Sequence, residues 1–117
     1  MTAIQRLHPG KRLSDASIHA GTVYLAGQIA DDASQDATGQ TRQVLAAIDR
    51  LLGEAGSDKS RILMAQIFLA DLADYDAMNA VWDAWVPADS KPCRATVQSR
   101  LARPEWRIEI VVTAAVI

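Results

Sequence analysis

The hydrophobic pattern of the chain switches between two periods. From Ser17 to Gln28 (SIHAGTVYLAGQ), two short β-like runs flank Ala20-Gly21-Thr22. A glycine there supplies the positive φ that a tight turn requires, so a hairpin is expected. The polar, small-residue stretch Asp31–Gly39 (DDASQDATG) reads as one surface loop. Between Gln40 and Ala55 the period becomes helical: Val44, Leu45, Ile48, Leu51, Leu52 and Ala55 form one apolar stripe, and Gly56 stands where a helix-terminating glycine belongs. Ile62–Ala70 (ILMAQIFLA) is a nearly continuous apolar run, short enough to be a fully buried strand. Asp74 is placed to cap a second helix reaching Val86, with Tyr75, Met78, Val81, Trp82, Trp85 and Val86 as its stripe and Pro87 ending it.

Two alternating segments follow. In Cys93–Leu101, Cys93, Ala95, Val97 and Leu101 share one face, and Arg94, Thr96, Gln98 and Arg100 the other. Arg107–Val116 sets Ile108, Ile110, Val112, Ala114 and Val116 against Glu109, Val111, Thr113 and Ala115. The predicted order is β-β-α-β-α-β-β, an α+β sandwich with both helices on one sheet face. Such a layout covers the sheet on one side only. Yet Ile62–Ala70 and the last strand are apolar on both sides, so a second copy of the chain is the expected cover.

A length of 117 residues fits one domain, 1–117, with a core that needs neither disulfide nor metal. One cysteine permits no internal disulfide and suits a reducing compartment. The opening MTAIQRLHPGKR has no apolar region of the secretory kind, and no apolar run approaches the ~20 residues that span a bilayer. A cytoplasmic protein without membrane partners is expected. The net charge of −2, with no basic cluster interleaved with aromatics, gives no support for a nucleic-acid partner.

Most catalytic signatures are absent from the sequence: it has no GxGxxG, Walker loop, CxxC, HExxH or GxSxG. His8 and His19 have no companions at metal-ligand spacing, and surface or structural roles are expected for them. Two polar residues stand out. Arg94 opens a strand after Lys91-Pro92-Cys93, and Glu109 sits among Ile, Val, Thr and Ala. A solvated strand end explains the first, and an edge position or a salt bridge the second. A polar cleft lined by both explains them together, with the arginine gripping a carboxylate through paired hydrogen bonds and the glutamate handling the proton of a water. Cys93, on the face opposite Arg94, is expected to be buried and inert. Trp82 and Trp85 read as core, Asn79 reads as a hydrogen-bonding amide, and the role of Trp106 is undecided.

GTVYLAGQI, the long stretch from QTRQVLAAIDRLLGE to NAVWDAW, KPCRATV and RIEIVVTAAV together resemble the RidA/YjgF family of reactive-intermediate deaminases. RLSDASIH, FLADLADYDAMNAVWDAWV and PCRATVQSRL are similar to its YoaB-like branch. The resemblance runs from about Leu13 to the end. It implies a chorismate-mutase-like α+β fold with a mixed or antiparallel sheet, a homotrimer with clefts between subunits, and no cofactor or metal. The implied reaction is hydrolysis of 2-imino acids and their enamine tautomers (2-aminoacrylate or 2-iminobutanoate type) to 2-keto acids and ammonia. Arg94 falls on the family's carboxylate-binding arginine and Glu109 on its water-positioning glutamate. Gly27 and Asn79 fall on pocket residues. Thr96 stands where many members have cysteine, with its backbone N–H still available to substrate. Leu13 stands near the place of a pocket tyrosine. The alternative is a trimeric binding or regulatory protein that holds small carboxylate metabolites without turnover. RNA cleavage, attached to some members, is disfavoured by the acidic charge balance.

Overall fold

The computed structural model describes residues 3–117, so the first two residues of the expected domain lie outside the described residues. Six strands form one sheet: β1 (Gln5–Leu7), β2 (Ala16–His19), β3 (Thr22–Leu25), β4 (Ile62–Leu69), β5 (Cys93–Gln98) and β6 (Ile108–Ala115). Their order across the sheet is β1-β2-β3-β6-β4-β5. Every pairing is antiparallel except β4 with β5. A parallel pair needs a crossover, and helix α2 (Tyr75–Trp85) supplies it. Helix α1 (Ala37–Glu54) packs beside α2.

Local chemistry sets the element ends. The hairpin turns on Ala20 and Gly21 alone, at φ 51° and 81°, and Thr22 already pairs with His19. Two positive φ values are what a two-residue hairpin matched to strand twist requires. Helix α1 begins three residues earlier than its stripe suggested, because Asp36 accepts a hydrogen bond from Gly39 N at 2.8 Å and caps it. The expected loop is therefore shorter. Asp32 orders it by accepting from Ser34 and Gln35, bonds that hold its carboxyl below the usual carboxylate range. At the other end of α1, Gly56 at φ 80° lets Ser57 N reach Leu52 O at 2.8 Å and Gly56 N reach Gly53 O at 3.2 Å.

Asp74 does occupy the cap position of α2, but its side chain makes no cap bond. Its carboxylate instead meets Arg107 at 3.1 and 3.2 Å, while Asp71 caps the short 3-10 turn Leu72–Asp74 that leads into the helix. Strand β5 ends at Gln98 rather than Leu101, since Gln98 Oε1 turns to accept from Leu72 N. Arg100 and Leu101 belong to the connection into β6. The short β1 was not expected; Gln-Arg-Leu carries no alternating pattern, and pairing with β2 alone defines it.

The core lies between the helices and one face of the sheet. Val44, Ile48, Leu51 and Leu52 of α1 and Met78 and Trp82 of α2 meet Val23, Ala65, Ile67, Ile110 and Val112. The polar side chains of Gln40 and Thr41 are enclosed with them, Thr41 Oγ1 donating to Ala37 O at 2.7 Å. Gln40, fully buried, donates to the carbonyls of Ala33, Gln35 and Glu105 at 3.0–3.1 Å and accepts from Arg107 N at 2.9 Å. It ties the start of α1 to the chain entering β6. The opposite face, carrying Tyr24, Met64, Phe68, Val97 and Val111, has no cover among the described residues; Tyr24 is 52% and Val97 47% exposed.

Gln40→Leu removes those partners at nearly constant volume and leaves a buried N–H and several carbonyls unpaired. A loss of about 2–4 kcal/mol is expected, since each stranded buried group costs roughly 1–3 kcal/mol. Urea unfolding at fixed protein concentration measures it, and a midpoint equal to the parent's would show that water replaces the amide.

Candidate active site

The residues singled out in the sequence form two groups. The first lies on β5 and α2. Arg94 pairs laterally with Ala65, which pairs with Val112, so its side chain points to the helix-covered face. There its Nη1 donates to Asn79 Oδ1 at 2.8 Å, its Nη2 lies 3.5 Å from Tyr75 Oη, and the guanidinium carbon sits 5.2 Å from the centre of the Trp82 ring. An indole face below a guanidinium is attractive by about 0.5–2 kcal/mol. Tyr75, Asn79 and Trp82 fall at four- and three-residue spacing, so one stripe of α2 supports the cation. Among the described residues no carboxylate pairs with Arg94. Thr96, two residues on and on the same face, has a buried hydroxyl with no hydrogen-bond partner.

The second group lies on the open face. Glu109 is in register with Phe68, and Phe68 with Val97, so its carboxylate points away from the helices. Gly27 stands against it. A Cβ at that position would lie 2.8 Å from Glu109 Cδ and inside contact distance of Oε2. The bridge between Gln28 and Ile110, with bonds of 2.9 and 3.1 Å, fixes this approach. Glycine thus leaves the space that the Glu109 carboxylate fills, the φ of Gly27 being ordinary.

Within one chain, then, Arg94 and Glu109 do not line a common cleft. Asn79 and Thr96 keep company with Arg94, and Gly27 with Glu109. Two further concavities, of about 370 Å³ (Arg100, Leu101, Arg103, Trp106) and about 390 Å³ (Ser34, Asp71, Asp74, Trp106), include neither residue. Trp106 lines both and lies 5.7 Å from the Arg103 guanidinium.

Cys93 corrects another expectation. It does face away from Arg94, but that is the uncovered side, so the thiol is exposed. It donates to Leu63 O at 3.0 Å and touches Met64 Sδ at 3.3 Å. His8 is exposed and pairs with Glu54 at 3.2 Å; His19 is exposed at the end of β2. Among the described residues no group of three or more His, Cys, Asp or Glu could hold a metal ion. No helix among them is long and apolar enough to cross a membrane. Tyr75 and Trp82 were not expected at the site. Both had been assigned to the apolar stripe, and the signal available was the amide at Asn79 set between them.

The profile of the family described as Endoribonuclease L-PSP matches residues 3–116. A RutC family protein of Haemophilus ducreyi is 49% identical over 113 residues, covering 97% of each chain. The RutC family protein YoaB of Escherichia coli is 47% identical over 113 residues, 97% of this chain and 98% of that one. The crystal structure of a YjgF family protein from Neisseria meningitidis superposes with a TM-score of 0.96 at 47% identity, covering 98% of this chain and 96% of the other. The chain belongs to the Endoribonuclease L-PSP family, the RidA/YjgF group. Its relatives include proteins of the YoaB name, and its two helices on a six-stranded mixed sheet have the fold of YjgF family structures.

Gly27→Ala is expected to push the Glu109 carboxylate out of its present position with little loss of stability, because the colliding atoms end a flexible side chain. A crystal structure of the variant checks this. A Glu109 left in place, with the backbone at residue 27 displaced instead, would contradict it.

Proposed function

We propose that the chain is a cofactor-free hydrolase that converts 2-imino acids and their enamine tautomers to 2-keto acids and ammonia, working as a homotrimer. The observation that carries this reading is Arg94, a guanidinium held over the Trp82 ring and against Asn79, with no carboxylate partner among the described residues. That is the form of a waiting carboxylate receptor. Family membership gives it a chemical context.

In this reading the substrate carboxylate binds Arg94, with the N–H of Thr96 beside it. Glu109 of a neighbouring copy takes a proton from a water as the water oxygen bonds to the C=N carbon. That proton passes to the imine nitrogen, giving a carbinolamine; the carbinol O–H proton is then moved to the amine, the C–N bond breaks, ammonia leaves, and the oxygen becomes the keto group. Gly27 keeps room for the carboxylate that moves the proton. Positioning is the main contribution, since holding water and imine in reacting geometry turns a bimolecular step into a local one. The apolar open face supports an assembly that brings the two half-sites together, because the faces of one sheet cannot meet. An RNA-cleaving reading, suggested by the family description, has less support: the net charge is −2, and phosphate recognition favours basic surfaces.

Arg94→Ala should weaken 2-oxobutanoate binding by roughly a hundredfold or more, two hydrogen bonds to a charged group being worth about 1.5–3 kcal/mol each. Arg94→Lys should fall between, and both should stay folded. Glu109→Gln should lose turnover of enzymatically generated 2-iminobutanoate while binding the keto acid about as well as the parent. Undiminished turnover in Glu109→Gln would remove the glutamate from the mechanism. Equal loss of turnover and binding would favour a structural role for it.

Assembly has its own test. Light scattering should report a trimer at micromolar concentration. Unfolding Arg94→Ala and Glu109→Gln together and refolding the mixture should restore part of the activity, because some clefts then combine an intact half from each. A monomer, or no recovery in mixed assemblies, would refute the shared cleft.

A further inference from the structure

We infer that the phenol of Tyr75 is an additional anion-binding group of the Arg94 site, donating its O–H to the same carboxylate that the guanidinium grips. The inference rests on the proposed carboxylate site and adds a residue to it that neither the motif pattern nor the family correspondence named.

Tyr75 is the first residue of α2, and its side chain is 40% exposed. Asn79, four residues on, is an acceptor for Arg94 through its Oδ1 at 2.8 Å. Trp82, three residues further, lies beneath the guanidinium. These two hold the cation from one side and from below. Tyr75 differs from both, because its oxygen can accept and donate at once. The phenol oxygen sits 3.5 Å from Arg94 Nη2. A guanidinium has only protons to offer, so the phenol proton must point elsewhere. Among the described residues no acceptor takes it, since the contact with Arg94 is the hydrogen bond that Tyr75 Oη makes there.

The result is a pair of donors side by side at the exposed start of α2. The separation of 3.5 Å is at the long limit of a hydrogen bond. A carboxylate entering there can keep the paired N–H bonds of Arg94 and also take the phenol O–H on the oxygen nearer Nη2. Hydrogen bonds with an ionised acceptor are shorter and stronger than the slack contact they replace. The arrangement selects a carboxylate over its neutral amide, which is the weaker acceptor for both donors.

The test uses the full-length protein and Tyr75→Phe, which removes one oxygen and keeps the ring. Calorimetric titration with 2-oxobutanoate and with 2-oxobutanamide, together with thermal melting, is done for the parent, Tyr75→Phe and Arg94→Ala. Tyr75→Phe should melt with the parent, bind 2-oxobutanoate on the order of tenfold more weakly, and prefer acid over amide by a smaller factor. Parent-like affinity in Tyr75→Phe, with binding lost in Arg94→Ala, overturns the role of Tyr75 and leaves the Arg94 site standing. Parent-like affinity in Arg94→Ala overturns both. Weaker binding accompanied by a lower melting temperature also overturns the inference, because the hydroxyl would then be supporting the helix.

Discussion

Side chains alternate across a strand, and the helices of this chain cover only one side of its sheet. From that constraint most of the functional geometry follows. It sends Arg94 and Thr96 toward α2, where an indole, an amide and a phenol can organise the cation. It sends Glu109 and Val111 to the other side, with Tyr24, Phe68 and Val97, where no described residue covers them. A shift of one residue in the register of β5 would exchange Arg94 for Cys93 at the helix and break the contacts with Asn79, Tyr75 and Trp82 while leaving the strand intact. Six consecutive pairs between Met64–Leu69 and Cys93–Gln98 fix that register.

The large features of the fold were legible because they rest on periodicity. The stripe Val44–Leu45–Ile48–Leu51–Leu52 names α1, and the alternation from Ile108 to Ala114 names β6 and its buried face. What periodicity could not supply was which side of β5 would be covered. Cys93, Ala95 and Val97 look like the inward set by hydrophobicity, yet α2 crosses above Arg94 and Thr96. The direction of the crossover decides this, and it is a tertiary fact. The start of α1 was hidden for a different reason: Asp36, Ala37, Thr38 and Gly39 have loop-like composition, and the capping bond from Gly39 N to Asp36 overrides it. In the site, Arg94 and Glu109 stood out as charges in apolar company. Tyr75 and Trp82 did not, because a residue that packs and a residue that supports a cation leave the same mark on a helical stripe.

Two kinds of rigidity meet near Glu109. On the helix side, Gln40 binds both the loop before α1 and the strand leading to β6 through Arg107 N, and Arg107 in turn holds Asp74 at the start of α2. The chain therefore enters β6 two residues before Glu109 already fixed at backbone and side chain. On the open side, the Gln28–Ile110 bridge brings Gly27 against the carboxylate. The glutamate is placed by a short, strongly tied segment, which suits the water-positioning role proposed for it.

The contact between Gly27 and Glu109 also bears on how such a sequence can drift. The missing Cβ at residue 27 and the tip of the acid at residue 109 share one volume. A Cβ at residue 27 moves the acid at residue 109, so substitutions at the two positions are coupled rather than additive. An alanine at residue 27 leaves the acid undeflected only beside a shorter one, such as aspartate at residue 109, and that exchange draws the carboxylate back toward the sheet by one methylene. The two positions thus form a single mutational unit whose trade is between backbone volume and acid reach.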